Sequence, residues 1–319
     1  MVAAFAAVYV IWGSTYLAIK YAIETLPTFL MAGARFIVAG LILYAAGRSS
    51  GGYEKPKLIH WRTSFIVGTL LLAVGNGGVV VAEHYISSSL AALLVATVPF
   101  WMVVIGWLFM RTGRPNYKVV IGLLIGFAGV AILITGRGSD TSESTGIGQL
   151  FGIFMIIVAT IGWAAGSLYG TRAPAAKSTV LAAGMQMLSG GLVLTVLSFV
   201  TGEWKAFDYN AVSKTSWIAL AYLIFIGALV AYTAYSWLLR NASPSAISTY
   251  AYVNPAVAVF LGWAVAGESL TGQMLVGAIV IVASVAMITL QKSVKNPEVE
   301  LETPVADPCV TKNSPTYST

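Results

Sequence analysis

The sequence predicts an all-α membrane protein whose ten transmembrane helices form two inverted five-helix repeats. Three observations predict it: a composition too apolar for water, ten apolar runs of bilayer length, and rare residues that recur at a near-constant offset between the two halves. Apolar residues make up 58% of the 319 positions and charged residues only 9%, against roughly 25% charged in a soluble domain. A helix crosses the roughly 30 Å hydrocarbon core in about 20 residues. Open spanning segments must be helical because lipid offers backbone groups no partner, and the alternating strands of a β-barrel are absent.

The first run, Val2 to Ile19, follows Met1 with no basic segment ahead of it and is long for a signal-peptide core, so it is expected to be retained. Thr28 to Ala46 follows the Thr-Leu-Pro turn ending at Pro27, and Thr63 to Ala82 follows the Arg-Ser-Ser-Gly-Gly turn from Arg48 to Gly52. Ser89 to Met110 is the fourth run. The Thr-Gly-Arg-Pro turn at Thr112 to Pro115 leads into the fifth, Val119 to Thr135. A polar break from Gly136 to Gly146, carrying Asp140 and Glu143, separates the halves. The second half repeats the plan with Gly148 to Tyr169, Thr179 to Val200, Trp217 to Leu239, Ala246 to Ala266 and Met274 to Leu290. The expected units are residues 1–136, residues 147–290, and a disordered cytoplasmic tail over 291–319, where Pro297, Pro304, Pro308 and Pro315 sit in a sequence too polar to form a core.

Shifting the chain by 151 positions lays Trp12 on Trp163, Ala32-Gly33 on Ala183-Gly184, and Gly40-Leu41 on Gly191-Leu192. A shift of 156 lays Pro99 on Pro255 and Gly106-Trp107 on Gly262-Trp263, and one of 155 pairs Gly122 with Gly277. Tryptophan and proline are scarce enough for their recurrence to indicate duplication. An odd number of helices per copy makes the second copy enter the membrane from the opposite side, so the copies are inverted. Charge agrees with this path. With a cytoplasmic N-terminus, the inside segments hold Arg48, Lys55, Lys57, Arg62, Arg111, Arg114, Lys118, Arg172, Lys177, Arg240, Lys292 and Lys295, and the outside ones only Lys20, Arg137, Lys205 and Lys214. Both termini are therefore expected in the cytoplasm. The net charge of +6 serves topology, since the basic residues lie between apolar runs with no basic face for nucleic acid. Cys309, the single cysteine, excludes a disulfide within the chain.

Several segments together resemble the drug/metabolite transporter superfamily of the EamA type. They are Trp12-Gly13-Ser14-Thr15-Tyr16 with Lys20, Arg35, Gly75-Asn76-Gly77, Glu83-His84-Tyr85, Ser89 to Leu94 leading to Pro99-Phe100-Trp101, and Gly267-Glu268. The resemblance covers residues 1 to 290. It implies an exporter-like carrier of the inner membrane with a central cavity enclosed mainly by the first, third, fourth, sixth, eighth and ninth helices. One departure stands out: an acidic residue common in the family after the fourth helix is replaced by Arg111-Thr112-Gly113-Arg114.

A carrier of this kind moves a small molecule by alternating access around a site near the midplane, where polar side chains replace water. Within the helices the candidates are Trp12, Arg35, Asn76, Thr97, Trp101, Trp163, Gln186, Tyr232, Tyr250 and Asn254. Arg35 and Gln186 are mates under the 151 shift, and Asn76 and Tyr232 under the 156 shift. Arg35 suits an anchor for a carboxylate or phosphate, an ion pair with Glu83, or snorkelling to the interface. Glu83 and His84 suit proton coupling or an exposed interfacial pair. Pro99 and Pro255 interrupt helices at matched depths, as a hinge or as a plain kink. Glu268 is expected to cap or position the tenth helix. Gly122, Gly126 and Gly129 suit close packing within one chain or a dimer contact, leaving a monomer or weak homodimer open.

The solute expected is amino-acid-like or otherwise semi-polar, with efflux the expected direction and membrane lipid as surroundings. No cofactor or metal is implied. An intramembrane enzyme is disfavoured because His60 and His84 are the only histidines and no paired catalytic pattern accompanies them. No phosphate-binding Gly-Lys-Ser/Thr loop is present for a nucleotide-driven pump. A passive channel or sensor is the remaining alternative.

Overall fold

The computed structural model describes residues 1–49, 53–110, 116–135, 146–241 and 250–292. Among these residues the regular structure is helical, with no strand. The polar break between the halves, the segment from Arg111 to Arg114, residues 246–249 of the expected ninth run, and the tail from 293 onward lie outside the described residues.

The helices in chain order are α1 (Val2–Ile23), α2 (Thr28–Ser49), α3 (Leu58–Ala82), α4 (Ser88–Phe109) and α5 (Tyr117–Thr135). Then follow α6 (Gly146–Gly170), α7 (Thr179–Val200) and α8, which runs from Lys214–Tyr222 through Leu223–Val230 into Ala231–Asn241. The chain ends with α9 (Tyr250–Ala266) and α10 (Gly272–Lys292). Among the described residues, seven helices are long and apolar enough to cross a bilayer, and three further apolar stretches, Tyr117–Ile132, Val253–Ala266 and Gly272–Met287, are shorter. Helices α1, α2, α3 and α8 exceed the expected runs by about a turn at one end, while α7 coincides with its run. The start of α8 is extended by a cap that a count of apolar residues discards, since the Ser213 hydroxyl accepts from the Ser216 N–H; α7 is capped likewise, with the Ser178 hydroxyl accepting from the Leu181 N–H.

Lipid supplies no hydrophobic drive between helices, so close backbone approach carries the packing. On α2, Gly33, Gly40 and Gly47 recur every seventh residue and meet Gly191, Gly184 and Leu181 of α7. The face of α5 carrying Gly122, Gly126 and Gly129 is turned inward: the Gly122 carbonyl accepts from the Ser284 hydroxyl, and Gly126 is covered by Phe100 and Ser284. That face is used for packing within the chain. The remaining neighbours come in matched sets, α1 against α8 and α9, and α6 against α3 and α4.

Two helices widen. Thr69–Asn76 in α3 and Leu223–Val230 in α8 are π-helical, each eight residues long. A π turn opens the regular hydrogen-bond ladder and is frequent at functional sites. Helix α4 instead breaks, between Ser88–Val95 and the segment that begins at Val98. Pro99 lies in the first turn after that break, where its missing N–H costs nothing. Pro255, by contrast, sits inside a helix that is continuous from Tyr250 to Ala266. The two prolines therefore occupy different local structures. The side-chain amide of Asn254, turned with its NH2 inward, donates to the Tyr250 carbonyl at 3.2 Å and the Tyr9 carbonyl at 3.3 Å, so backbone acceptors just ahead of Pro255 and across on α1 keep a donor.

Candidate functional site

Helix α1 brings an aromatic side chain to the centre of an aromatic group. The Trp12 ring lies 5.0 Å from Tyr235 and 5.5 Å, edge to face, from Tyr250, and Tyr232 stands 6.4 Å from Tyr235. These separations and tilts fit the favourable arrangements of aromatic pairs. One turn apart on α8, Tyr232 and Tyr235 share a face. The Ser14 hydroxyl is 2.6 Å from the Tyr222 hydroxyl, linking α1 to α8 at a second level.

Two polar pairs accompany this group, one containing its own Tyr232 and the other reaching α8 at Gly227. Arg35, 5% exposed and about two turns into α2, donates from Nη1 to Asn76 Oδ1 at 3.5 Å. The Tyr232 hydroxyl donates to Gln186 Oε1 of α7 at 3.4 Å. Each pair joins a helix of the α2/α7 couple to the end of a π-helical stretch, or just past it. The guanidinium carbon lies 4.8 Å over the Phe36 ring, the charged group faces Gly227 in the α8 π turn, and Nε has no hydrogen-bond partner among the described residues. An arginine this deep is neither snorkelling nor solvated, and such groups in a membrane protein ordinarily face a partner or a pathway.

Glu83 follows the last residue of α3. It is buried, and neither carboxylate oxygen finds a donor among the described residues. Burial, reinforced by the nearby charge of Glu268, holds its carboxyl well above the ordinary range, against the opposing pull of Lys20 and Arg35. No ion pair forms between Arg35 and Glu83. His84 turns away to the exposed side, where its Nε2 lies 2.7 Å from the Thr28 hydroxyl. Burial of its ring lowers its pKa, and Glu203 opposes that shift. Glu203 itself accepts from the Phe29 and Leu30 N–H groups at 3.1 and 2.8 Å, capping α2.

Glu268 does something other than cap α10. Its Oε1 accepts from the Ser88 N–H at 3.0 Å, the Ser88 hydroxyl at 2.7 Å and Lys20 Nζ at 3.0 Å, and its Oε2 accepts from the N–H and hydroxyl of Ser89. The carboxylate thus closes the start of α4 and ties it to α1. A helix N-terminus is where a negative charge gains most from the backbone. Burial works against ionisation, but the hydrogen bonds from Ser89, Ser88 and Lys20 together hold the Glu268 carboxyl below its ordinary range. Close approach requires Gly262: a Cβ there would collide with both the Ser89 hydroxyl and the Glu268 carboxylate.

The other sequence candidates lie apart from this group. Thr97, buried at the α4 break, donates to the Leu94 carbonyl at 2.6 Å. Trp101 faces α5, 6.1 Å from the Phe127 ring. Trp163 packs on Gly75 in the α3 π turn, away from its sequence mate Trp12. Sequence reasoning passed over Ser88, Ser89 and Tyr222 as partners, although the Ser87-Ser88-Ser89 run is itself a helix-start signature. Nothing in the apolar stretch from Thr69 to Val74 distinguishes a π turn from an α turn.

A family model described as the EamA-like transporter family matches residues 1–135 and 150–290. The chain is 38% identical over 289 residues to a protein named "Uncharacterized inner membrane transporter YedA" of Escherichia coli (strain K12), covering 90% of this chain and 89% of that protein. It is 25% identical over 282 residues to "Uncharacterized transporter YvbV" of Bacillus subtilis (strain 168), covering 88% of each. It is also 25% identical over 293 residues to "Protein PecM" of Dickeya dadantii (strain 3937), covering 89% of this chain and 93% of that protein. A solved crystal structure 18% identical in sequence shares the fold, with a TM-score of 0.60 over 89% of this chain and 94% of that one.

Proposed function

The chain belongs to the EamA-like transporter family, and from that premise we propose that it is a secondary transporter that exports small amino-acid-like or semi-polar solutes by alternating access. The observation that carries the reading is the pair of matched contacts, Arg35 to Asn76 and Tyr232 to Gln186, the second continuous with the Tyr235, Trp12 and Tyr250 rings. Arg35 offers a free Nε for a solute carboxylate, the buried Glu83 an acceptor for a solute donor, and the rings an apolar wall. A site that is polar at a few points and apolar elsewhere suits such a solute.

The chain crosses the bilayer ten times in this reading, as inverted repeats over 1–136 and 147–290, with both termini and the 291–319 tail in the cytoplasm. Support comes from the two separate family matches, from the exchange of neighbours between α1 and α6, and from the two π-helical stretches of equal length. The name of the Escherichia coli relative supports an inner-membrane location. The break at Ala96–Thr97 beside Pro99, and Pro255 in α9, are the places where the halves would bend, and protonation of Glu83 is the step that would couple transport to a proton gradient. His84, the second proton-coupling candidate, would act from the exposed side.

Purified protein reconstituted in vesicles tests the reading. A thermal-shift screen against amino acids, sugars, nucleosides and cationic drugs identifies a stabilising solute, and counterflow of that solute is expected. Flux without counterflow marks a channel and overturns the carrier mechanism.

A further inference from the structure

A groove of about 410 Å³ runs between α3 and α7, outside the Arg35–Asn76 site, lined by Trp61, Arg62 and Phe65 of α3 and by Leu188, Ser189 and Leu192 of α7. Phe65 is 50% exposed and Leu192 56%, so on a membrane-crossing chain this wall meets lipid tails. The Ser189 hydroxyl is taken up by the Met185 carbonyl of its own helix, so the charged residue of the lining is Arg62, which has no hydrogen bond or ion pair among the described residues. A cation in such a place is costly unless an anion or water meets it. A guanidinium presents forked donors that match phosphate oxygens.

The surroundings point the same way. Its lining begins at Leu58, directly after the connection that carries Lys55 and Lys57, and Arg48 stands in the last turn of α2 ahead of that connection. The acid in that segment is Glu54, and it is already engaged by Lys177 across the α6–α7 connection. The Lys177 hydrogen bond holds the Glu54 carboxyl below its ordinary range, so it stays ionised and taken up in that pair. The Trp61 ring, in the first turn of α3 and 5.9 Å from Tyr44, is of the type that gathers at the headgroup boundary of membrane proteins. One end of the groove is cationic and the rest apolar, the pattern of a headgroup joined to acyl chains.

We propose that this groove binds an anionic phospholipid, its phosphate on Arg62 and an acyl chain along Phe65, Leu188 and Leu192. The proposal requires only that the chain spans a bilayer, so its failure would leave the transport reading untouched.

Native mass spectrometry of the full-length protein in a neutral detergent provides the test, with phosphatidylglycerol and phosphatidylcholine of identical acyl chains added in turn. Phosphatidylglycerol is expected to be retained in preference. Arg62→Gln should lower that retention about fivefold while leaving phosphatidylcholine unchanged. Leu188→Trp should fill the acyl slot and lower it with the charge intact. Because Arg62 is exposed and unpaired, an unchanged elution profile will show that the variant folds. Equal retention of the two lipids, no effect of Arg62→Gln, or displacement by millimolar inorganic phosphate would each overturn the proposal, the last by showing a site for the free anion.

Discussion

The Tyr232 hydroxyl donates to Gln186 Oε1 at 3.4 Å, and the positions of these two residues correspond, half a chain earlier, to Asn76 and Arg35, which are also in contact. Two pairs of unlike chemistry thus hold a polar contact at positions that the sequence offsets relate. If the contacts frame a solute, removing either should weaken binding with little loss of fold. Tyr232→Phe and Asn76→Ala are each expected to raise KM about fivefold in vesicle uptake, the loss of about 1 kcal/mol for one hydrogen bond. An unchanged KM in both variants would place the pairs in the architecture alone.

Glu268 and Lys20 contribute unequally to the clasp on α4. The Glu268 side chain is 4% exposed and serves five donor contacts, whereas Lys20 is 35% exposed and serves one. Glu268→Ala should cost about 3 kcal/mol by stranding the Ser88 and Ser89 N–H groups. Lys20→Ala should cost less than about 1 kcal/mol. Thermal unfolding of the two purified variants measures both, and equal losses would contradict the geometry.

Glu83 sets a pH dependence of opposite sign to that of Glu268. An acid whose pKa is higher in the fold than in the unfolded chain makes no contribution at low pH and costs stability as pH rises above 4.5. Glu268, held lower in the fold, stabilises above 4.5 and loses that contribution as pH falls. His84, lowered from 6.5, regains stability as pH rises through that range. The difference between wild type and Glu83→Gln isolates the Glu83 contribution. Melting temperatures from pH 5 to pH 8 should show the wild type losing ground to the variant. Transport rates that ignore pH over the same range would remove the proton-coupling role.

The single cysteine, Cys309, reports on topology without any engineering. With a cytoplasmic C-terminus, an impermeant maleimide should leave it unlabelled in intact cells and label it in inverted vesicles. Labelling of intact cells would reverse the charge-based orientation.

The helices were readable because their signal is bulk apolarity sustained over a bilayer's thickness, and the α7 boundaries, Thr179–Val200, coincide with the expected run. Arg35, Asn76, Gln186 and Tyr232 were legible as polar residues inside apolar helices, a costly placement that marks itself. Glu268 was read as serving α10 because sequence places it beside that helix. Its true partner, α4, is close only in the fold. The π turns left no trace, since apolar side chains pack a wide turn as readily as a narrow one. Pro99 and Pro255 look equivalent in sequence, yet one follows a helix break and the other sits within a helix.

The carboxylate that closes the start of α4 stands 180 residues downstream of Ser88. At roughly 5–20 residues per second of synthesis, α4 is complete about eight to thirty seconds before Glu268 is made. During that interval the Ser88 and Ser89 amides are without the carboxylate that accepts from them in the finished fold. The first half of the chain is thus left open at one corner until the second half arrives to seal it. Maturation of the nascent chain should therefore end in a late locking event, timed by the emergence of the loop after α9.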